Sequence, residues 1–168
     1  LLSSLPECLF IEDIKLKIPE KTNAIAIGPG LGTDSSAMKI LELILSQKKP
    51  LVIDADALNL ISGSKRLMAK IPTNSILTPH PGELERLIGK FKSPEETLEK
   101  QIKFSKKYSV FVVQKGAFSK ITCPDGMVII NSSGNPGMAS AGMGDVLTGM
   151  IGSLLAQGYA AKEAVTCG

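Results

Sequence analysis

The densest chemical signal in the sequence is a run of small residues, Asn135-Pro136-Gly137-Met138-Ala139-Ser140-Ala141-Gly142-Met143-Gly144, that ends at Asp145. Without bulky side chains, backbone amides can approach an anion directly in front of a helix, where the helix dipole adds about half a positive charge. A carboxylate in such a loop repels the ligand unless it works on a hydroxyl beside the phosphate. Asp145 therefore reads either as a general base or as a plain N-cap worth about 1 kcal/mol. A second glycine loop, Gly28-Pro29-Gly30-Leu31-Gly32, has Thr33 where the dinucleotide fingerprint wants its third Gly, and the chain holds no Gly-Lys-Ser/Thr P-loop. Rossmann dehydrogenases and Walker-type NTPases are thereby disfavoured. The loop is either a tight turn with close packing or a place where backbone approaches a ligand.

Three further positions carry reactive groups. His80, the only histidine, stands between Pro79 and Pro81; with Glu83 the sole nearby ligand type it makes no metal site, and it is a substrate contact or a loop residue. Asp54 and Asp56 alternate along one segment, as turn caps or with Asp54 holding Mg2+ through water. Lys115-Gly116 either aims an ammonium at phosphates or is an exposed lysine before a turn.

The elements that must position these groups follow from period and caps. Buried-type strands are expected at 24–27, 51–53, 75–77 and 110–113, and a hairpin at 120–123 and 127–130 around Pro124-Asp125-Gly126. A helix is expected from Thr33-Asp34-Ser35, with Met38, Leu41, Ile44 and Leu45 on its apolar face and Lys48-Lys49 at its end. Residues 54–60 read as an exit loop, followed by short helices at 65–70 and 83–88. Ser93-Pro94-Glu95-Glu96 predicts a capping box opening a helix to 108. The last apolar helix runs from about 145 to 157, stopped by Gly158, and 162–168 begins another helical pattern. Alternating strands and helices predict a mostly parallel α/β sheet with helices on both faces and an antiparallel hairpin extension. In such sheets ligands bind beyond the carboxyl ends of the strands, so the loops at Gly28, Asp54, Thr78 and Lys115 should share one rim.

Composition removes other classes. Of 168 residues 43% are hydrophobic and 21% charged, which fits one ordinary globular domain and excludes disorder. A net charge of +3, with two Tyr and no Trp to stack on bases, speaks against a nucleic-acid partner. Apolar runs are interrupted too early for a membrane span. Cys8, Cys123 and Cys167, odd in number and far apart, point to reduced thiols in a cytoplasmic compartment. Both ends look cut, so residues 1–168 are expected to be part of one larger domain.

Gly28-Pro29-Gly30-Leu31-Gly32, Asp54-Ala55-Asp56-Ala57-Leu58-Asn59, Thr78-Pro79-His80-Pro81-Gly82-Glu83, Lys115-Gly116 and 135–145 followed by Val-Leu-Thr-Gly occur here in the order found in the ADP/ATP-dependent NAD(P)H-hydrate dehydratases. The chain resembles this ribokinase-like family over essentially its whole length. The resemblance implies repair of the (6S) hydrate of NADH or NADPH: ADP or ATP, with Mg2+, phosphorylates the hydrate hydroxyl, and phosphate is then eliminated. It makes Asp145 the base. It assigns Lys115, Gly116, Ala117, Phe118 and Ser119, with Asn135, Gly137, Gly142 and Gly144, to the nucleotide. It gives Gly28, Gly30 and Gly32, and the stretch from His80, Pro81, Gly82 and Glu83 to Arg86, to the hydrated dinucleotide. Fusion to an NAD(P)HX epimerase domain is common in the family, and a homo-oligomer is compatible with these residues. Two alternatives stay open: a hydroxymethyl-pyrimidine or thiazole type kinase, which shares the loop and the Asp base, and a nucleotide sensor without turnover, which has no need of the base.

Overall fold

The computed structural model describes residues 18–132, 134 and 140–168; the opening segment with Cys8, and Asn135 and Gly137 of the glycine-rich run, lie outside them. Six strands lie side by side in chain order: β1 (Ile25–Ile27), β2 (Leu51–Ile53), β3 (Ile76–Leu77), β4 (Phe111–Gln114), β5 (Ser119–Thr122) and β6 (Val128–Asn131). β1 to β4 are parallel and β4 to β6 antiparallel, as the sequence pattern predicts. Leu51, Val52 and Ile53 are all at most 1% exposed, the signature of a parallel strand covered on both faces.

Alternation along the strands divides the interior into two cores. Leu51, Ile53, Leu77 and Val112 face α1 (Ser35–Leu45), α2 (Ala55–Ser62), α3 (Lys65–Met68), α4 (Pro81–Ile88) and α5 (Pro94–Tyr108). Val52, Ile76, Phe111 and Val113 face α6 (Met143–Ala156) and α7 (Ala161–Cys167). Each such side chain contributes about 1.5–3 kcal/mol on full burial, so both cores are needed to hold the sheet. Among the described residues no helix is long and apolar enough to cross a membrane.

Several elements depart from the sequence pattern. Residues 54–60 are not a loop: Asp54 is the N-cap of α2, whose Ala57, Leu58 and Ile61 are buried at helical spacing. α1 stops at Leu45, so Lys48 and Lys49 lie beyond it, Lys48 with φ of 53° turning the chain back toward β2. Lys49 does not serve the dipole of α1; its ammonium donates to the carbonyls of Glu20 and Thr22. Ala37, not Met38, packs inward on α1. The cap of α5 is half of the expected box: the Ser93 hydroxyl accepts from the Glu96 amide, while the Glu96 carboxylate accepts from the amide of Lys92, not of Ser93. α4 begins at Pro81, two residues before the expected Glu83, and α6 begins at Met143 with Gly142 as N-cap.

Candidate active site

Strand exits meet at Asp54. Gly28 follows β1 with φ of +132°, and a Cβ there would lie 1.7 Å from the Asp54 carbonyl oxygen, so only glycine lets the two loops touch. The Asp54 amide donates to the Ile27 carbonyl at 3.0 Å. Of the two roles open to its loop, Gly28 therefore takes close packing. Farther along the same loop, Gly32 donates its amide to Asp56 at 2.9 Å. Gly30 and Gly32 have positive φ and open space where a Cβ would point, which leaves their backbone approachable.

The Asp54 carboxylate is 1% exposed and joins three elements. Its Oδ1 accepts from the Lys115 ammonium at 2.7 Å, and its Oδ2 from the Thr148 hydroxyl at 2.9 Å. A buried carboxylate survives only when paired and hydrogen-bonded, and here both oxygens are engaged. Ala55, next in the chain, has φ of 45°, a left-handed conformation that costs an alanine about 1–2 kcal/mol. That strain sits where the chain turns from β2 into α2 and aims Asp54 inward. Lys115 is held from its backbone as well, its amide donating to the Pro79 carbonyl at 2.9 Å after β3.

This junction abuts the first turn of α6. A Cβ on Gly144 would stand 3.2 Å from the Lys115 ammonium and 3.7 Å from Asp54 Oδ2. Asp145 is the third residue of α6 and exposed, so it does not cap the helix; Gly142 does, with φ of 88°. A carboxylate in a first turn is favoured by the dipole, and amides of that turn lack intrahelical partners. Gly134 reaches the neighbouring loop, since a Cβ there would lie 2.0 Å from the Ala117 carbonyl oxygen. Gly134 and Gly144 thus both lie against the segment from Lys115 to Ala117. Gly116 accepts from the Ser119 hydroxyl, and Phe118 projects outward, 64% exposed.

His80, Pro81, Gly82 and Glu83 form a separate unit. His80 Nδ1 accepts from the amides of Gly82 at 3.0 Å and Glu83 at 3.4 Å, and Glu83 accepts from the His80 amide at 2.8 Å. This capping box opens α4, with the imidazole half exposed and the Glu83 carboxylate buried beneath it. α4 and α6 cover opposite faces of the sheet, although both begin at its carboxyl rim. Among the described residues no hydrogen bond or ion pair joins His80 to Asp54, Lys115 or Thr148; the two units share the rim through Pro79 and Lys115.

Mg2+ finds no protein cage here. Among the described residues no three His, Cys, Asp or Glu side chains cluster, and Asp54 already spends its oxygens on Lys115 and Thr148. A cation carried on phosphates needs few protein ligands, and Asp54, which the sequence offers to Mg2+ through water, has each of its oxygens turned to a protein donor, Lys115 or Thr148. Cys123 is buried, which together with nearby Asp125 raises its thiol pKa and keeps it inert. A groove of about 760 Å3 between Lys48, Lys70, Asn74 and Tyr159 opens at the amino ends of β2 and β3, away from all of these groups. Sequence reasoning missed Thr148. Its signals are its place in the Val-Leu-Thr-Gly stretch after Asp145 and its spacing of three and seven residues from Ile151 and Leu155 on the buried face of α6.

The family described as NAD(P)H-hydrate dehydratase matches residues 4–168. An ADP-dependent (S)-NAD(P)H-hydrate dehydratase from Neisseria meningitidis is 40% identical over 99% of this chain and 58% of its own length. A bifunctional NAD(P)H-hydrate repair enzyme from Moorella thermoacetica is 42% identical over 88% of this chain, which spans only 28% of that protein. The crystal structure of the Bacillus subtilis ADP/ATP-dependent NAD(P)H-hydrate dehydratase, co-crystallized with ATP/Mg2+ and soaked with CoA, aligns with a TM-score of 0.82 at 33% identity. That alignment covers 98% of this chain and 62% of the Bacillus chain. The fold is ribokinase-like.

Proposed function

This chain belongs to the NAD(P)H-hydrate dehydratase family, and on that premise we propose that it serves a nucleotide-dependent lyase acting on the (6S) hydrate of NADH or NADPH. The observation that carries the reading is the junction of Asp54, Lys115 and Thr148, which sets a buried carboxylate and its partly open lysine partner against the α6 turn bearing Gly144 and Asp145. When bound, ADP or ATP with Mg2+ supplies the phosphoryl group that turns the hydrate hydroxyl into a leaving group. The Asp145 carboxylate accepts the proton of that hydroxyl. Amides of the first turn of α6 and the Lys115 ammonium hold anionic charge in place. The approachable backbone of Gly30 and Gly32, and the start of α4, are assigned to the dinucleotide. Fusion to an epimerase domain belongs to the same reading, supported by the bifunctional name of the Moorella relative.

The test is an absorbance assay on the full-length protein, supplied with hydrate and ADP or ATP. Recovery of the dihydronicotinamide band is the expected result. A stable phosphate ester in its place would make the protein a kinase, and nucleotide binding without either product would make it a sensor.

A further inference from the structure

We infer that Asp54 and Thr148 are positioning residues that act through Lys115, locking its ammonium against the α6 turn that receives the nucleotide phosphates. The inference rests on the nucleotide reading above and goes beyond it. A lysine side chain is a flexible four-carbon stem with a strongly hydrated point charge, and its ammonium wanders unless something holds it. Here three contacts do. The Lys115 amide is tied to the Pro79 carbonyl at 2.9 Å, its ammonium to Asp54 Oδ1 at 2.7 Å, and the other Asp54 oxygen to the Thr148 hydroxyl at 2.9 Å. Thr148 is 3% and Asp54 1% exposed, whereas the Lys115 side chain keeps 22% of its surface open. The anchor is thus buried and the cation faces outward.

The geometry also specifies where the ammonium points. It sits beside Gly144, close enough that a Cβ there would stand 3.2 Å from Nζ. An ammonium has three N–H donors, and among the described residues one is spent, on Asp54. The others are available to an anion that also meets the amides of the same helical turn. Thr148 comes from that same helix, so its hydroxyl fixes the register between the cation and the amides. Asp54 acts here as the lock on a lysine rather than as a ligand of Mg2+.

A positioning role predicts coupling, which a merely structural role lacks. ADP affinity of the full-length protein is measured by calorimetry, with Mg2+ and again in EDTA, for wild type, Thr148→Val, Thr148→Ser, Lys115→Met and the Thr148→Val/Lys115→Met double variant. Thr148→Val keeps the shape of the side chain and removes the hydroxyl, and it is expected to weaken ADP about tenfold. Thr148→Ser is expected to bind within about twofold of wild type, because it restores the hydroxyl. In the Lys115→Met background the same Thr148→Val change should have almost no effect, since the residue it acts through is gone. Equal losses in both backgrounds, or no loss in either, would overturn the inference. So would a loss that appears only with Mg2+, which would hand the pair back to the cation. A wild-type protein that binds no ADP defeats this inference together with the nucleotide reading, whereas binding with additive losses defeats this inference alone.

Discussion

At the scale of single residues, Asp145 and Gly144 separate chemistry from folding. Asp145 is exposed at the third position of α6 and the cap is Gly142, so the helix does not depend on its side chain for capping. Asp145→Asn should therefore cost at most the roughly 0.3–1 kcal/mol of its dipole interaction, about 1–4 °C in melting temperature, while turnover falls by about 10² or more, as removal of a general base does. Unchanged turnover in that variant would retire Asp145 as the base. The two glycines beside it differ from each other. Gly142 has φ of 88° and resists any side chain, whereas Gly144 has helical φ and a neighbour in the Lys115 ammonium. Gly144→Ala should fold, helped by about 0.8–1 kcal/mol of helix propensity, yet bind ADP more weakly because its methyl displaces the cation. Gly142→Ala should lower the melting temperature itself. Thermal melts with and without ADP distinguish the two, and ADP affinity unaffected by Gly144→Ala would remove that glycine from the cradle.

At the scale of elements, α4 shows a site motif performing structural work. The histidine and glutamate of Thr78-Pro79-His80-Pro81-Gly82-Glu83 close a capping box on each other, with Pro81 at the first helical position where its missing N–H costs nothing. His80→Ala should cost about 1 kcal/mol, a drop of about 2–4 °C in melting temperature for a chain of this size. His80→Asn should retain most of that stability, because Asn supplies an equivalent acceptor. If His80→Ala melts as the wild type does, the cap contributes nothing and the imidazole is left to the ligand alone. Legibility of the elements followed the same logic of local against distant causes. Ser93 and Pro94 announced α5 because a cap and a fixed φ are properties of adjacent residues. α2 escaped notice because its Asp and Asn residues read as a turn, although Ala57, Leu58 and Ile61 already had helical spacing.

For the whole molecule, the decisive contact is between loops that are distant in the sequence. Gly28 and Asp54 touch with no room for a Cβ, so Gly28→Ala is expected to destabilise the protein by more than the roughly 0.5 kcal/mol of an ordinary surface change, and by several kcal/mol if the β1 and β2 exits separate. A denaturation midpoint close to that of wild type would show that the rim can relax around a methyl group. The mostly parallel sheet, its cover of helices on both faces and the position of the rim were readable from the sequence, because hydrophobic period and the alternation of strands with helices act through local pattern, whereas the side-by-side order of the six strands came from the structure. The glycine loops and Asp145 stood out for the same reason, through residue types and spacing within one segment. Only the tertiary structure decided that Asp54 pairs with Lys115 and Thr148, 61 and 94 positions away. It also decided that Gly28 serves packing and that His80 caps its own helix. Pairing across such separations depends on where side chains from different elements arrive in space, and no periodicity or spacing within one segment encodes that.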